Sequence, residues 1–213
     1  MIITWLGHSF FKIETADKVI GIDPFEEEIV GLKPARFKAD ILLISHNHSG
    51  HNNSKVILGE PFLLDSPGEI EIDGIFIEGI ETYHDNKSGI ELGKNTIFMI
   101  KSEGLNLVFM GDFGEKKLKE EVIEKLGDVD ILFVPVSGKS INHTEAANLI
   151  SQIEPKYIIP MHYKVEGVKL ELGGVEKFVK ELGINPEKLE KLVIRKSNIS
   201  AEQDTKLVIL QNQ

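Results

Sequence analysis

Cysteine is absent from all 213 residues, which removes disulfides, thiolate metal sites and a thiol nucleophile together. Any metal this chain holds must be held by histidine and carboxylate. Also missing is an apolar run near the ~18 residues that mark a membrane-spanning helix. The opening Met1-Ile2-Ile3-Thr4-Trp5-Leu6-Gly7 lacks the basic segment and apolar core of a secretory leader. A cytoplasmic protein without a membrane partner is the expectation. Positive charge is scarce: 24 Lys and Arg stand against 34 Asp and Glu, a formal net charge of −10. Lys116, Lys117 and Lys119 are interleaved with glutamates, and no dense basic run appears. An acidic surface repels phosphate backbones, so nucleic acid is not an expected partner and a small-molecule substrate is. No linker, low-complexity tract or short repeat divides the chain, and one domain over residues 1–213 follows. Nothing in the sequence fixes the oligomeric state.

Histidine is what the chain concentrates. Of 7 histidines, three fall in the stretch Ser45-His46-Asn47-His48-Ser49-Gly50-His51-Asn52. This follows the branched apolar run Ile41-Leu42-Leu43-Ile44, which reads as a buried strand. The histidines therefore sit on a loop at a strand's carboxyl end, where α/β sheets place their ligands. In an extended segment His46 and His48 share a face and can reach one ion, while a turn at Ser49-Gly50 would send His51 elsewhere. Crowded neutral imidazoles suit Zn²⁺ or a similar ion.

Before that loop the alternation predicts strands over residues 2–5, 10–14 and 19–22, a β-meander ended by Asp23-Pro24-Phe25. Residues 26–38 show no period and read as an excursion over the surface. Strands follow over 61–64, 69–72 and 75–80, the last two joined by Asp73-Gly74, a hairpin signal. Residues 86–94 form a polar, glycine-bearing loop beyond Tyr83-His84-Asp85. Strands resume over 96–101 and 105–110, the second running into Gly111-Asp112-Phe113-Gly114. Leu118, Val122 and Leu126 mark a helix ended by Gly127, and 131–135 is a buried strand. Thr144 is placed to cap a helix that stops at Pro155. The strand over 157–160 delivers Met161-His162-Tyr163. Helices are expected over 174–182 and 186–191, and strands over 192–194 and 206–210. Meanders early and βαβα later point to a sheet-rich α/β domain.

In this order, an HxHxxH turn, a later isolated His84, Gly111-Asp112 and Met161-His162-Tyr163 resemble the metallo-β-lactamase fold superfamily. Trp5-Leu6-Gly7-His8-Ser9-Phe10, Asp23-Pro24-Phe25, Ser66-Pro67-Gly68-Glu69 and Pro160-Met161-His162-Tyr163 are similar to its small prokaryotic Zn-dependent hydrolases of unassigned substrate. The resemblance spans residues 1–165 and implies a four-layer αββα sandwich with a metal cleft at one edge. It implies that His46, His48 and His84 bind one ion, His51 and His162 a second, and that Asp112 bridges them. The ions implied are one or two Zn²⁺, with Mn²⁺ and Fe²⁺ as the other candidates. Such a centre polarises the scissile bond of an ester, lactone, amide or phosphodiester and attacks it with metal-bound hydroxide. Asp112 and His8 are the implied catalytic groups, His8 by donating to substrate or to a ligand carboxylate. Tyr163 and Lys164 are placed at the rim, and His143 is read as a surface residue. Glu69 is read as an ordinary turn carboxylate.

One position departs from the pattern. The residue before the third histidine is expected to be Asp, a ligand of the second ion, and here it is Gly50. Glycine offers no ligand atom, so two alternatives stand beside the dinuclear enzyme. One is a single-ion hydrolase; the other is a metal-binding, non-catalytic member of the fold whose second site is degraded. Asp85 is a conceivable substitute ligand. A nuclease of the same superfamily is a third reading, disfavoured by the acidic balance.

Overall fold

Alternating side chains decide which face each strand buries. In the computed structural model, which describes residues 1–200 and 202–213, Ile2–Trp5 (β1), Phe11–Glu14 (β2) and Val19–Ile22 (β3) form the expected antiparallel meander. Ile3, Trp5, Phe11, Ile13, Ile20 and Ile22 enter one core, while Lys12 and Gly21 between them face the other way. The stretch from 26 to 38 is more ordered than its composition suggests. It holds a one-turn helix, Glu27–Val30 (α1), and a short strand, Phe37–Lys38 (β4). Next come Ile41–Leu43 (β5), Ile57–Leu58 (β6) and Phe62–Leu64 (β7). Strands β4 and β6 pair as a separate ribbon over the outer face of the first sheet. Gly21 permits this approach, since a Cβ there would lie 3.1 Å from Ile57 Cδ1.

Gly68–Ile72 (β8) and Ile75–Tyr83 (β9) form the hairpin turned by Asp73-Gly74, both residues in the left-handed region (φ 48 and 78) as a tight two-residue turn requires. Lys94–Ser102 (β10) and Leu105–Phe109 (β11) continue the meander. The chain then runs Glu120–Leu126 (α2), Ile131–Pro135 (β12), His143–Ile153 (α3), Tyr157–Met161 (β13) and Glu176–Leu182 (α4), and ends with Glu187–Leu189 (β14), Leu192–Val193 (β15) and Lys206–Leu210 (β16). Two expectations are corrected here. Asn142, not Thr144, caps α3: its side chain accepts from the Thr144 and Glu145 N–H groups while Glu145 reaches back, a full capping box. Residues 186–191 are not a helix, because Glu187–Leu189 adds to the sheet edge in parallel with β16. Pairing overrides the helix preference of Glu, Lys and Leu there.

Six strands in the order β15-β1-β2-β3-β5-β7 form one sheet and eight in the order β14-β16-β13-β12-β11-β10-β9-β8 form the other. They pack face to face, with Phe11 of β2 meeting Phe109 and Phe133 edge-on at 6.2 and 4.8 Å between ring centroids. Val122 and Leu126 of α2, Leu149 and Ile153 of α3 and Phe178 of α4 join that core. A smaller core of Phe10, Phe25, Val30, Leu42, Ile44, Ile57 and Val168 fills the outside of the six-stranded sheet. The architecture is the four-layer αββα sandwich, with one outer layer reduced to α1 and the β4–β6 ribbon. Among the described residues no helix is long and apolar enough to cross a membrane.

Candidate metal centre

The turns leaving β1, β3, β5, β9, β11 and β13 meet at one edge of the sandwich and bring His8, Asp23, His46, His51, His84, Asp112 and His162 into mutual contact. Three of these residues hold left-handed backbone, His8 (φ 51), Asp23 (φ 50) and His162 (φ 57). Each costs about 1–2 kcal/mol for a residue with a Cβ. Burial of a large apolar side chain contributes about 1.5–3 kcal/mol, so the fully buried Phe10, Phe11 and Phe25 beside these turns are enough to hold the geometry.

The histidine loop is a turn, not the extended segment that would set His46 and His48 on one face. The His48 N–H donates to the His46 carbonyl (3.1 Å) and the His51 N–H to the His48 carbonyl (2.8 Å). The turn folds His51 inward, to 4.2 Å from His46 between ring centroids. His48 is left exposed at the mouth.

Asp23 fixes the orientation of two rings. Fully buried, its carboxylate accepts from the Ser45 N–H (2.7 Å), the Ser45 hydroxyl (2.5 Å) and His51 Nδ1 (2.8 Å). Ser45 has one hydroxyl proton and gives it to Asp23, so its Oγ accepts from His46 Nδ1 at 2.9 Å. His162 Nδ1 donates to the Ser137 carbonyl (2.7 Å), and His84 Nδ1 to the Leu92 carbonyl (3.3 Å). With Nδ1 committed as donor, His46, His51 and His162 each carry their lone pair on Nε2. His84 differs: its Nδ1 donates to Leu92 and its Nε2 donates to Asp112 Oδ2, a proton that a metal would replace. All four Nε2 atoms converge on Asp112. Its Oδ2 lies 2.6 Å from His84 Nε2, 3.4 Å from His162 Nε2 and 3.8 Å from His51 Nε2.

Burial lowers the pKa of His46 and of His51 to about 3, and that of His8 well below its usual value. Neutral imidazole is the form that binds a metal. Burial also lowers the His84 pKa, but the hydrogen bond to Asp112 outweighs it and the net shift is upward. At Asp112 burial pushes the pKa up, and the imidazoles of His162, His84 and His51 outweigh it, holding the carboxyl well below the usual range. Burial raises Asp23 to about 7 against the pull of its hydrogen bonds.

A metal accounts for what the side chains leave open. His46 Nε2 and Asp112 Oδ1 are buried and have no hydrogen-bond partner among the described residues, a costly arrangement unless a cation meets them. The ligand atoms of His46, His84 and Asp112 lie within 4.8 Å of one another, as do those of His46, His48 and His51 and those of His8, His51 and His162. Histidine and carboxylate donors without sulfur suit Zn²⁺, Mn²⁺ or Fe²⁺.

The β-lactamase superfamily domain matches residues 2–162. The chain belongs to the β-lactamase superfamily. A protein assigned as a Zn-dependent hydrolase of the metallo-β-lactamase superfamily from Thermotoga maritima superposes with a TM-score of 0.79 at 31% identity, over 98% of this chain and 97% of that one. A UPF0173 metal-dependent hydrolase of Pyrococcus abyssi is 28% identical over 76% of this chain and 84% of its own length. An isothiocyanate hydrolase from Delia radicum gut bacteria shares the fold at 12% identity, TM-score 0.66, over 100% of this chain and 97% of that one.

Several residues of this superfamily member stand apart from their sequence-based reading. Asp85 is no ligand: its Oδ1 accepts from the Lys87 and Gly89 N–H groups, its Oδ2 from those of Glu91 and Leu92. Burial raises its pKa, yet these four donors outweigh it and bring it to about 2. Tyr163 is not at the rim but stacks on Trp5 with ring centroids 5.0 Å apart, and Lys164 turns away to the Val168 and Leu170 carbonyls. Glu69 is exposed on β8 and not in a turn, whereas His143, half-exposed in the first turn of α3, agrees with its reading as a surface residue. Asp23, Ser45 and Asn95 received no role from sequence. Asn95, fully buried in β10, accepts from the Asp112 N–H (2.9 Å) while donating to the Met110 carbonyl and Thr82 Oγ1. Their one visible signal was Asp23-Pro24 at a strand end.

Asp85 leads to a first prediction. In Asp85→Asn the amide nitrogen faces two N–H donors it cannot accept from, so the loop from 86 to 93 loses its hydrogen-exchange protection while the melting temperature changes little. A carboxyl whose folded pKa is depressed from 3.8 to about 2 stabilises the loop above the unfolded value and stops doing so as pH falls through the folded one. Wild-type protection therefore fades between about pH 4 and 2, whereas the variant's is already low. Unchanged exchange in the variant would remove Asp85 as the loop's organiser.

Proposed function

We propose that this protein is a metal-dependent hydrolase that cleaves an ester, lactone, amide or phosphodiester bond of a small molecule. The names of its relatives support the reaction class. The observation that carries the reading is that His46 Nε2 and Asp112 Oδ1 are buried without a hydrogen-bond partner among the described residues, and that Asp112 with His48, His51, His84 and His162 lines an open cleft of about 410 Å³. His46, His48 and His84 are the proposed ligands of a first ion, His51 and His162 of a second, with Asp112 shared. Bound there, Zn²⁺ or a similar divalent ion supplies Lewis acidity and a water of lowered pKa.

The chain's own groups do the rest. Asp112, whose Oδ1 has no hydrogen-bond partner among the described residues, would help hold the ion and orient the water bound to it. Ile29, Leu92, Leu170 and Leu172 give the cleft an apolar wall against which the body of a substrate can pack. Lys139, Ser140 and Glu171 stand on the same cleft, so a substrate with an apolar body and a polar end is oriented across it.

The test is metal content of protein purified without added metal, together with turnover of aryl esters, lactones and aryl phosphodiesters. About two ions per chain are expected. Activity should vanish on chelation, return with Zn²⁺ and be absent in His46→Ala. Protein that takes up no stoichiometric divalent ion, or His46→Ala that retains its rate, overturns the reading in favour of a non-catalytic member of the fold.

A further inference from the structure

We propose that His8 completes the second metal site, taking the place of the acid that Gly50 lacks. The inference rests on the reading that the cluster holds two ions. A Cβ built at Gly50 would lie 3.3 Å from His8 Nε2 and 3.4 Å from His48 Nδ1. The space into which a side chain at position 50 would project is therefore already taken by an imidazole. His8, His51 and His162 form a triad whose ligand atoms lie within 4.8 Å of one another. Their ring centroids stand 4.3 Å (His8–His162), 5.0 Å (His8–His51) and 5.7 Å (His51–His162) apart. Tetrahedral Zn²⁺ with bonds of about 2.0–2.1 Å separates its nitrogens by about 3.4 Å, so a side-chain closure on the order of 1 Å brings the three rings to one ion.

His8 is built in, not draped over the rim. It is 1% exposed, and its carbonyl accepts both the Trp5 indole N–H and the His162 backbone N–H at 3.0 Å. That carbonyl ties the turn after β1 directly to the strand end that carries His162. A turn whose only task was to join β1 to β2 would place Gly or Asn at φ 51 and avoid the strain; a buried histidine held there points to a task for the ring. Exchanging an anionic carboxylate for a neutral imidazole leaves the second site with three nitrogens and the shared Asp112. That set favours Zn²⁺ or Co²⁺ over Mn²⁺. Gly50 is then half of a compensated exchange and not a mark of decay.

The test compares wild type, His8→Asn, Gly50→Asp and the double variant by Zn²⁺ stoichiometry in buffered-metal titrations. Asn tolerates left-handed backbone, so His8→Asn removes the imidazole while keeping the turn, and circular dichroism verifies the fold. The expected result is two ions in wild type. In His8→Asn the first ion should be held as before and the second weakened by more than the roughly 10- to 100-fold that loss of an outer-sphere partner costs. The double variant should regain the second ion, because Asp at 50 then finds the space His8 left; Gly50→Asp alone should not tighten it. Retention of both ions in His8→Asn within about threefold overturns the proposal, and so does loss of both. Fewer than two ions in wild type overturns the two-ion reading itself, and that outcome is seen without any variant.

Discussion

Asp112→Ala loses hydrolysis by well over the roughly 100-fold that outer-sphere substitutions reach, sheds metal, and melts in its metal-free form no lower than wild type. The first two effects follow from position. Asp112 Oδ2 lies within 3.8 Å of His51, His84 and His162, so its removal strips a ligand from both proposed sites. The third follows from what Asp112 does not do for the fold. Its Oδ1 has no hydrogen-bond partner and its Oδ2 meets only imidazoles. His46 and His51, at about 3, are neutral above acid pH, and His84 becomes neutral once the carboxylate is gone. No buried charge is stranded, so the usual penalty for breaking a buried pair does not apply, and a desolvated carboxylate is relieved. Calorimetry of chelated protein beside kcat/KM and metal content makes the comparison. A variant within threefold of wild type in kcat/KM, or one that melts several degrees lower without metal, sinks the assignment.

The legible part of this molecule was whatever repeats or clusters locally. Period-two alternation placed β1 to β3, Asp73-Gly74 placed a hairpin, and three histidines after Ile41-Leu42-Leu43-Ile44 marked one edge of the fold. What stayed hidden depends on which turns meet. Asp23 reads as a strand-ending Asp-Pro, and only the sandwich brings its carboxylate to Ser45 and His51. Asn95 sits inside a strand pattern, and nothing nearby in sequence says that its side chain holds the backbone of Asp112. Asp85 shows the converse error. The missing acid at Gly50 made it a conceivable substitute ligand, although adjacency to His84 does not place it at the second ion, and its carboxylate gathers loop amides instead. Gly50 read as a loss because sequence shows the missing side chain and not the ring of His8 standing 3.3 Å from where it would begin.

Gly114→Ala is expected to destabilise the fold strongly by a single methyl. A Cβ there would lie 2.2 Å from the His84 carbonyl oxygen, 2.4 Å from its carbon and 2.7 Å from the Asp85 nitrogen. All three are backbone atoms, so no rotamer change relieves the overlap. The Gly114 N–H also donates to the Tyr83 carbonyl at 2.9 Å, which pins the two loops at the point of collision. Overpacking of this kind costs about 3 kcal/mol or more. At about 2–4 °C per kcal/mol for a domain of this size, the melting temperature falls by roughly 6–12 °C. Gly183 supplies the control: with φ 70, ψ 12 and nothing within 4 Å of its Cβ among the described residues, Gly183→Ala meets only left-handed strain of about 1–2 kcal/mol. The difference between the two is steric, and in Gly114→Ala it has a chemical consequence, because the displaced segment carries His84. Metal affinity should fall together with stability in Gly114→Ala and stay level in Gly183→Ala. Equal melting shifts in the two variants would mean that the contact between the His84 and Asp112 loops is not what sets the geometry of the centre.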